Sequence, residues 1–391
     1  MMFDCNYFWR AVSIWNDGSL RPCCHYDAFR DKSIDSRTLE DDNIQNQSSL
    51  QNTRQIVLDG NIPTGCNICE TLEKNGVSRS PRKRGYNNSK EYLKTYQAPT
   101  DKEKQVLVER NNIEHMNIDL GNTCNYMCVI CNPGASHLIA KEQGRKDLYN
   151  SSWGDNEEKI LSFIRKAENL TSVAIAGGEP FYNINMLNKV LEALISVKDK
   201  CRLHITTNGS KVTTETANLI KQFRRVQISI SIDGTGRYND FQRWNSNWKD
   251  IEKNIANFKE VFGDNVDIEL NATISAITLP DLPKLIKWAD DNPAINWMHP
   301  SFLVWPDHLQ CSILKPEVLQ SVSDEIKQID QSITKRIIGQ QGLTYITDYL
   351  ENAKSTSIYR KEFDQHFNSL KELRQNFDVY KAFPELQNNL M

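Results

Sequence analysis

From about residue 112 to residue 305 the chain alternates short β-rich runs with amphipathic helical ones, and nothing else in the sequence restricts its fold as much. The β-rich runs are EHMNIDL, SVAIAGG, RLHITTNG, VQISISIDG, VDIELNATIS and INWMHPSFLV. Between them lie NEEKILSFIRKAENL, NMLNKVLEALISVK, ETANLIKQF, WKDIEKNIANFKEVF and LPDLPKLIKWADD. In the first helical run Leu161, Ile164 and Leu170 form an apolar face opposite Glu157, Lys159 and Lys166. Strand and helix in strict alternation imply βαβ units and a parallel sheet. Six strands suit an open, partial barrel better than a closed eight-stranded one. The expected fold class is therefore α/β, a partial (β/α)6 TIM-type barrel over residues 112–305.

At 391 residues the chain exceeds what one compact core usually holds, so further units are expected. Residues 1–85 show few long periodic elements and many turn formers, as in WNDGSLRPCC. The polar run at 41–54 reads as loop or a short exposed helix. The basic, turn-rich SRSPRKRGYNNSK reads as a solvated connector, with the linker set at 86–111. A helical C-terminal tail, residues 306–391, carries the charged runs KPEVLQSVSDEIKQID and RKEFDQHFNSLKELRQNF. A net charge of −3 gives no field that argues for nucleic acid or a membrane. The first residues, MMFDCNYFWR, lack an apolar signal-peptide region, and no apolar run approaches a membrane span. The protein is expected to be cytoplasmic.

Ten cysteines without a secretory signal need a purpose other than disulfides. Cys201 and Cys311 stand alone and read as small buried hydrophobes. Cys124, Cys128 and Cys131 form C-x3-C-x2-C in GNTCNYMCVIC, directly after the first β-run of the barrel, where such folds collect function. Three thiolates can hold three irons of a 4Fe–4S cluster and leave the fourth open. Structural zinc, the rival, usually takes four ligands from paired CxxC knuckles. The second β-run ends in Gly177, Gly178, Glu179 and Pro180, where two glycines admit a ligand close to the backbone.

The C-x3-C-x2-C loop after the first strand and GGEP after the second resemble the paired signature of the radical S-adenosylmethionine superfamily. The resemblance covers roughly residues 112–305. It implies that S-adenosylmethionine completes the ligand set of the cluster at Cys124, Cys128 and Cys131. It further implies cofactor contacts for Ile130, for Gly177, Gly178, Glu179 and Pro180, and for Thr206 and Asn208 in HITTNGS. Ser231 and Asp233 in SISIDG, with Arg243 in NDFQRW, match positions that contact ribose and carboxylate. Ile130 departs mildly from a family in which an aromatic residue is common there. The implied chemistry is reductive cleavage of the cofactor to methionine and a 5′-deoxyadenosyl radical that takes hydrogen from a substrate.

Cys5, Cys23, Cys66 and Cys69, with Gly18 in C-x12-G-x4-C, resemble the ligand set of a twitch or shortened SPASM module, which holds a second, auxiliary 4Fe–4S cluster. That module normally follows the barrel, whereas these cysteines precede it, and a four-cysteine zinc knuckle is the rival. Cys24 adjoins Cys23 and is an alternative ligand. The resemblance implies modification of a peptide or protein residue. A small molecule or modified nucleoside is the alternative substrate, and a non-catalytic iron–sulfur or zinc protein the alternative class. An electron donor such as flavodoxin or ferredoxin is the implied partner.

Overall fold

The computed structural model describes residues 5, 7–27, 31, 46–74, 113–329, 333 and 336–391. The expected linker at 86–111 lies outside the described residues. The described residues fall into two compact units: residues up to 123 with 150–205 and 218–226, and residues 124–149 with 206–217 and 227–391.

The first unit carries strands in the order β2 (Leu20–Arg21), β1 (Ala11–Ile14), β3 (His115–Asp119), β4 (Ser172–Ala176) and β5 (Arg202–Thr207), whose last two residues belong to the second unit. β1 runs parallel to β3, with Ala11 opposite His115 and Ile14 opposite Ile118. β3 pairs parallel with β4 and β4 with β5. Among the described residues of this unit only the β1–β2 hairpin is antiparallel, turning through Gly18 at φ +78°. Alternate residues of the central strands are buried: Met116 and Ile118, Val173 and Ile175, Leu203 and Ile205. The helix Glu157–Lys166 buries Ile160, Leu161, Phe163 and Ile164, and the helix Ile184–Ala193 buries Met186, Leu187, Val190 and Leu191. A strand flanked by strands and capped by such helices needs no polar residue on its inward face.

The second unit contains most of β6 (Arg225–Ser231), followed by β7 (Val266–Ile274) and β8 (Trp297–Phe302). β7 and β8 pair parallel from Glu269–Trp297 to Ile274–Phe302. The helix Trp248–Phe262 begins where the Asn247 side chain accepts from the amides of Lys249 and Asp250, and ends at Gly263 with φ +63°. Helices Pro316–Gln328, Gly339–Asn352 and Arg360–Leu373 make up the tail. Phe363, Phe367 and Leu370 of the last are buried, and Phe377 beyond it stacks on Phe241 at 4.5 Å.

All six expected β-runs are strands, so the chain has an α/β fold with a parallel-strand sheet, consistent with a partial barrel. β1 and β2 are additional. Their four and two residues are too short for alternation to register, and all four residues of β1 are buried. Of the polar run at 41–54, residues 41–45 lie outside the described residues and the remainder differs too. Ser48–Leu58 is a helix that buries Leu50, Val57 and Leu58, and the last two lie beyond the window that reads as polar. Cys201 and Cys311 are buried, at 1% and 0% exposure, as expected of small apolar fillers. Among the described residues no helix is long and apolar enough to cross a membrane.

Candidate metal and cofactor site

Within the second unit the loop Cys124–Cys131 is held by its backbone rather than by its thiols. The Met127 amide donates to the Trp244 carbonyl at 2.8 Å, and the Val129 amide donates to the Gln242 carbonyl at 2.7 Å. The Cys124 amide donates to Nδ1 of His137 at 3.2 Å. On another side Asn125 and Asn208 share a side-chain bond of 2.8 Å, and Ser210 joins both, at 3.0 and 2.7 Å. Cys124 is buried, Cys128 and Cys131 are half-buried, and Ile130 between them is half-buried. Burial pushes the Cys128 thiol well up, while the nearby Arg243 guanidinium pulls it down. Cys131 is raised by burial and lowered by its bond with Asn132 and by Arg243. The Tyr126 amide approaches the Cys124 sulfur at 3.5 Å, the kind of donor that stabilises a thiolate.

Asp233 and Arg243 meet in the same unit. Arg243 Nη2 donates to Asp233 Oδ1 at 2.9 Å, with the Asp233 side chain at 0% exposure. The Asp233 carboxylate also accepts from the Thr273 amide at 2.8 Å and from Gln242 Nε2 at 2.8 Å. Burial opposes the Arg243 charge and Asp233 favours it, with a net upward shift. The Arg243 Nε is buried without a hydrogen-bond partner. Ser231 is half-buried at the end of β6, and Thr206 half-buried near the end of β5. Sequence reasoning singled out Asn208 and Arg243 but missed Asn125, Ser210 and Gln242, which tie the loop down. Asn125 lies inside the cysteine motif, so its position was visible even though its partner was not.

In the first unit the GGEP turn is shaped by its glycines. Gly177 and Gly178 have φ of +88° and +52°. A Cβ on Gly178 would lie 2.2 Å from the Thr123 carbonyl oxygen, and one on Gly177 2.7 Å from the Leu120 amide. The Glu179 amide donates to the same Thr123 carbonyl at 2.9 Å, and its buried carboxylate accepts from the Phe181 amide at 2.9 Å. Pro180 is buried next to it. Gly178→Ala is expected to cost about 3 kcal/mol or more, because a backbone clash adds to the left-handed penalty. Gly144→Ala, with φ +64° and nothing within 4 Å of the new Cβ, should cost only the latter, about 1–2 kcal/mol. Urea midpoints for the pair check the difference.

Cys5, Cys23, Cys66 and Cys69 line one cavity of the first unit with Tyr7, Phe8 and Tyr26. Cys24 is exposed and is not part of that lining. Phe8, Trp9, Tyr26, Val57 and Leu58 cluster beside Cys5 as a small apolar core. Gly65 passes so close to the Tyr26 ring that a Cβ there would sit 2.3 Å from it. The Cys23 thiol is raised by burial first and then by the neighbouring Cys24, Cys5 and Cys66 thiols. Among the described residues no three His, Cys, Asp or Glu side chains stand close enough to share one metal ion.

A parallel-strand α/β domain with three cysteines on the loop after its first long strand, and a double-glycine turn after the next, defines the class. The Radical SAM superfamily model matches residues 118–281, which supports a domain of that superfamily there. The chain is 23% identical over 184 residues to the uncharacterized protein MJ0907 of Methanocaldococcus jannaschii, covering 46% of this chain and 59% of that one. It is 25% identical over 205 residues to the radical SAM cyclopropyl synthase TigE of Paramaledivibacter caminithermalis, covering 49% of this chain and 42% of that one. The chain thus spans about half the length of the curated relatives it matches. The solved structure of histidine-tagged anSMEcpe with bound AdoMet aligns at 15% identity and a TM-score of 0.44, over 57% of this chain and 62% of that one.

Proposed function

We propose that this protein is a radical S-adenosylmethionine enzyme that abstracts hydrogen from a residue of a peptide or protein. The observation that carries the reading is the three-cysteine loop in a matched superfamily domain, pinned through its backbone so that ligation by its thiols would not compete with its anchors. The donor set fits a 4Fe–4S cluster at Cys124, Cys128 and Cys131, because three thiolates leave one iron for the cofactor. Held there, such a cluster would supply the electron for reductive cleavage of S-adenosylmethionine, the source of hydrogen-abstracting chemistry. The residues of this chain bind and orient. Gly177 and Gly178 keep the GGEP turn free of side chains, and Asn208 and Asn125 fix the loop. Arg243, with its buried unpartnered Nε, offers a donor beside Cys128. Thr206, Ser231, Ile130, Glu179 and Pro180 complete the proposed cofactor contacts. Anaerobically reconstituted, reduced protein is expected to convert S-adenosylmethionine to 5′-deoxyadenosine. No such product from protein with a full complement of iron would overturn the reading.

A second 4Fe–4S cluster is proposed at Cys5, Cys23, Cys66 and Cys69, in an auxiliary unit spanning residues 1–85. The barrel at 112–305 and the tail at 306–391 complete the proposed domain plan. Support comes from the four cysteines lining one cavity. Their small core is short of apolar residues, so a metal centre would supply much of the local order. Alanine at all four positions is expected to remove roughly half of the iron and sulfide, while some cofactor cleavage persists. A native protein that binds about four irons and one zinc would instead identify a zinc knuckle. The proposed setting is cytoplasmic, with flavodoxin or ferredoxin as donor.

A further inference from the structure

One side chain of the tail bonds directly to the cysteine loop. Arg374, just past the helix Arg360–Leu373, is 5% exposed and uses three of its nitrogens. Nε and Nη2 donate to the two carboxylate oxygens of Glu142, both at 2.7 Å, and Nη1 donates to the Met127 carbonyl at 3.0 Å. Glu142 ends the helix His137–Glu142, whose first residue accepts the Cys124 amide. The Met127 carbonyl belongs to the peptide group that enters Cys128. That peptide is thus bonded to Arg374, while the amides of Met127 and Val129 on either side of Cys128 are bonded to Trp244 and Gln242. A planar guanidinium can hold a carboxylate with one fork and a carbonyl with the remaining donor, which a point charge cannot do with the same geometry. Phe377 and Phe367, which follow or precede Arg374 in the tail, stack on Phe241, just ahead of Gln242.

We infer that Arg374 is a positioning residue for the cluster: it orients the Met127–Cys128 peptide, and with it the Cys128 thiolate, from outside the matched superfamily segment 118–281. The inference rests on the proposed cluster at Cys124, Cys128 and Cys131. Its test compares a double variant with a single one. Glu142→Leu with Arg374→Met replaces a buried ion pair by apolar side chains, a change that is often neutral for folding. It also removes the donor to Met127. Glu142→Gln alone leaves that donor in place.

The expected result is that the double variant keeps the wild-type thermal midpoint but loses its cluster to a ferrous chelator about 10- to 100-fold faster, as when outer partners of metal ligands are removed. The electron paramagnetic resonance line shape of its reduced cluster should change as well, whereas Glu142→Gln should keep the wild-type line shape. Wild-type cluster retention and line shape in the double variant would overturn the role. If the double variant does not fold, Glu142→Gln with Arg374→Met supplies the same comparison, since it too removes the donor and leaves no buried charge, and wild-type retention there overturns the role equally. A wild-type protein that assembles no cluster at all would refute the underlying cluster reading instead, which keeps the two failures apart.

Discussion

Alanine at Cys124, Cys128 and Cys131 together is expected to abolish 5′-deoxyadenosine formation while leaving the fold in place. The reason lies in how the loop is fastened. Its anchors are the amides of Cys124, Met127 and Val129 and the side chains of Asn125, Asn208 and Ser210. None of these is a thiol. Removing three sulfurs therefore takes away the proposed iron ligands without releasing the loop, and circular dichroism and urea midpoints should stay near those of the parent. Iron should fall with activity. Undiminished 5′-deoxyadenosine from the triple variant would sink the assignment.

Arg243→Ala should do more damage than loss of one cofactor contact. Its partner Asp233 is fully buried, and breaking such a pair from one side leaves a carboxylate short of its countercharge, at a cost of about 3–5 kcal/mol. Gln242 and the Thr273 amide still donate to Asp233, which limits the loss but does not restore the charge balance. Two effects are expected together: a lower denaturation midpoint and weaker S-adenosylmethionine binding. Arg243→Lys separates them. It keeps a cation near Asp233 yet lacks the planar set of donors, so binding should fall roughly 10- to 100-fold, about 1.5–3 kcal/mol, with a smaller loss of stability. A wild-type denaturation midpoint for Arg243→Ala would contradict the buried pair. A wild-type dissociation constant for Arg243→Lys would remove Arg243 from the cofactor site.

The barrel strands were legible because five of them bury alternate residues over five or more positions and the sixth, β6, is a β-branched run buried through its middle, and helices such as Trp248–Phe262 because one face is apolar throughout. The cysteine motif was legible because its three cysteines sit within one loop. What could not be read is whatever depends on partners far along the chain. Nothing around Arg374 signals a carboxylate 232 residues earlier. Asp233 and Arg243 were singled out for a cofactor, whereas their bond to each other follows from a turn and a short helix, Arg237–Gln242, that bring them face to face. The four N-terminal cysteines were grouped by spacing, but the cavity that gathers them depends on the fold of Ser48–Leu58 and Gly65 around Tyr26.

Strand β1 also has a history in time. It pairs with β3, and Arg10 bonds to Glu114 across 104 residues of chain. At roughly 5–20 residues per second, synthesis leaves β1 and β2 waiting about 5–20 seconds for that partner. A lone two-stranded hairpin is marginal in water, so through this interval it offers an open edge. The closure that follows spans a long loop, and its entropy must be met before the pairing contributes anything. Cys5 and Cys23 flank this hairpin in the sequence and ride with it. Until Cys66 and Cys69 are made and the cavity forms, these thiols are open to oxidation and to soft metals, so the yield of correctly assembled protein is expected to be higher under reducing, metal-controlled conditions.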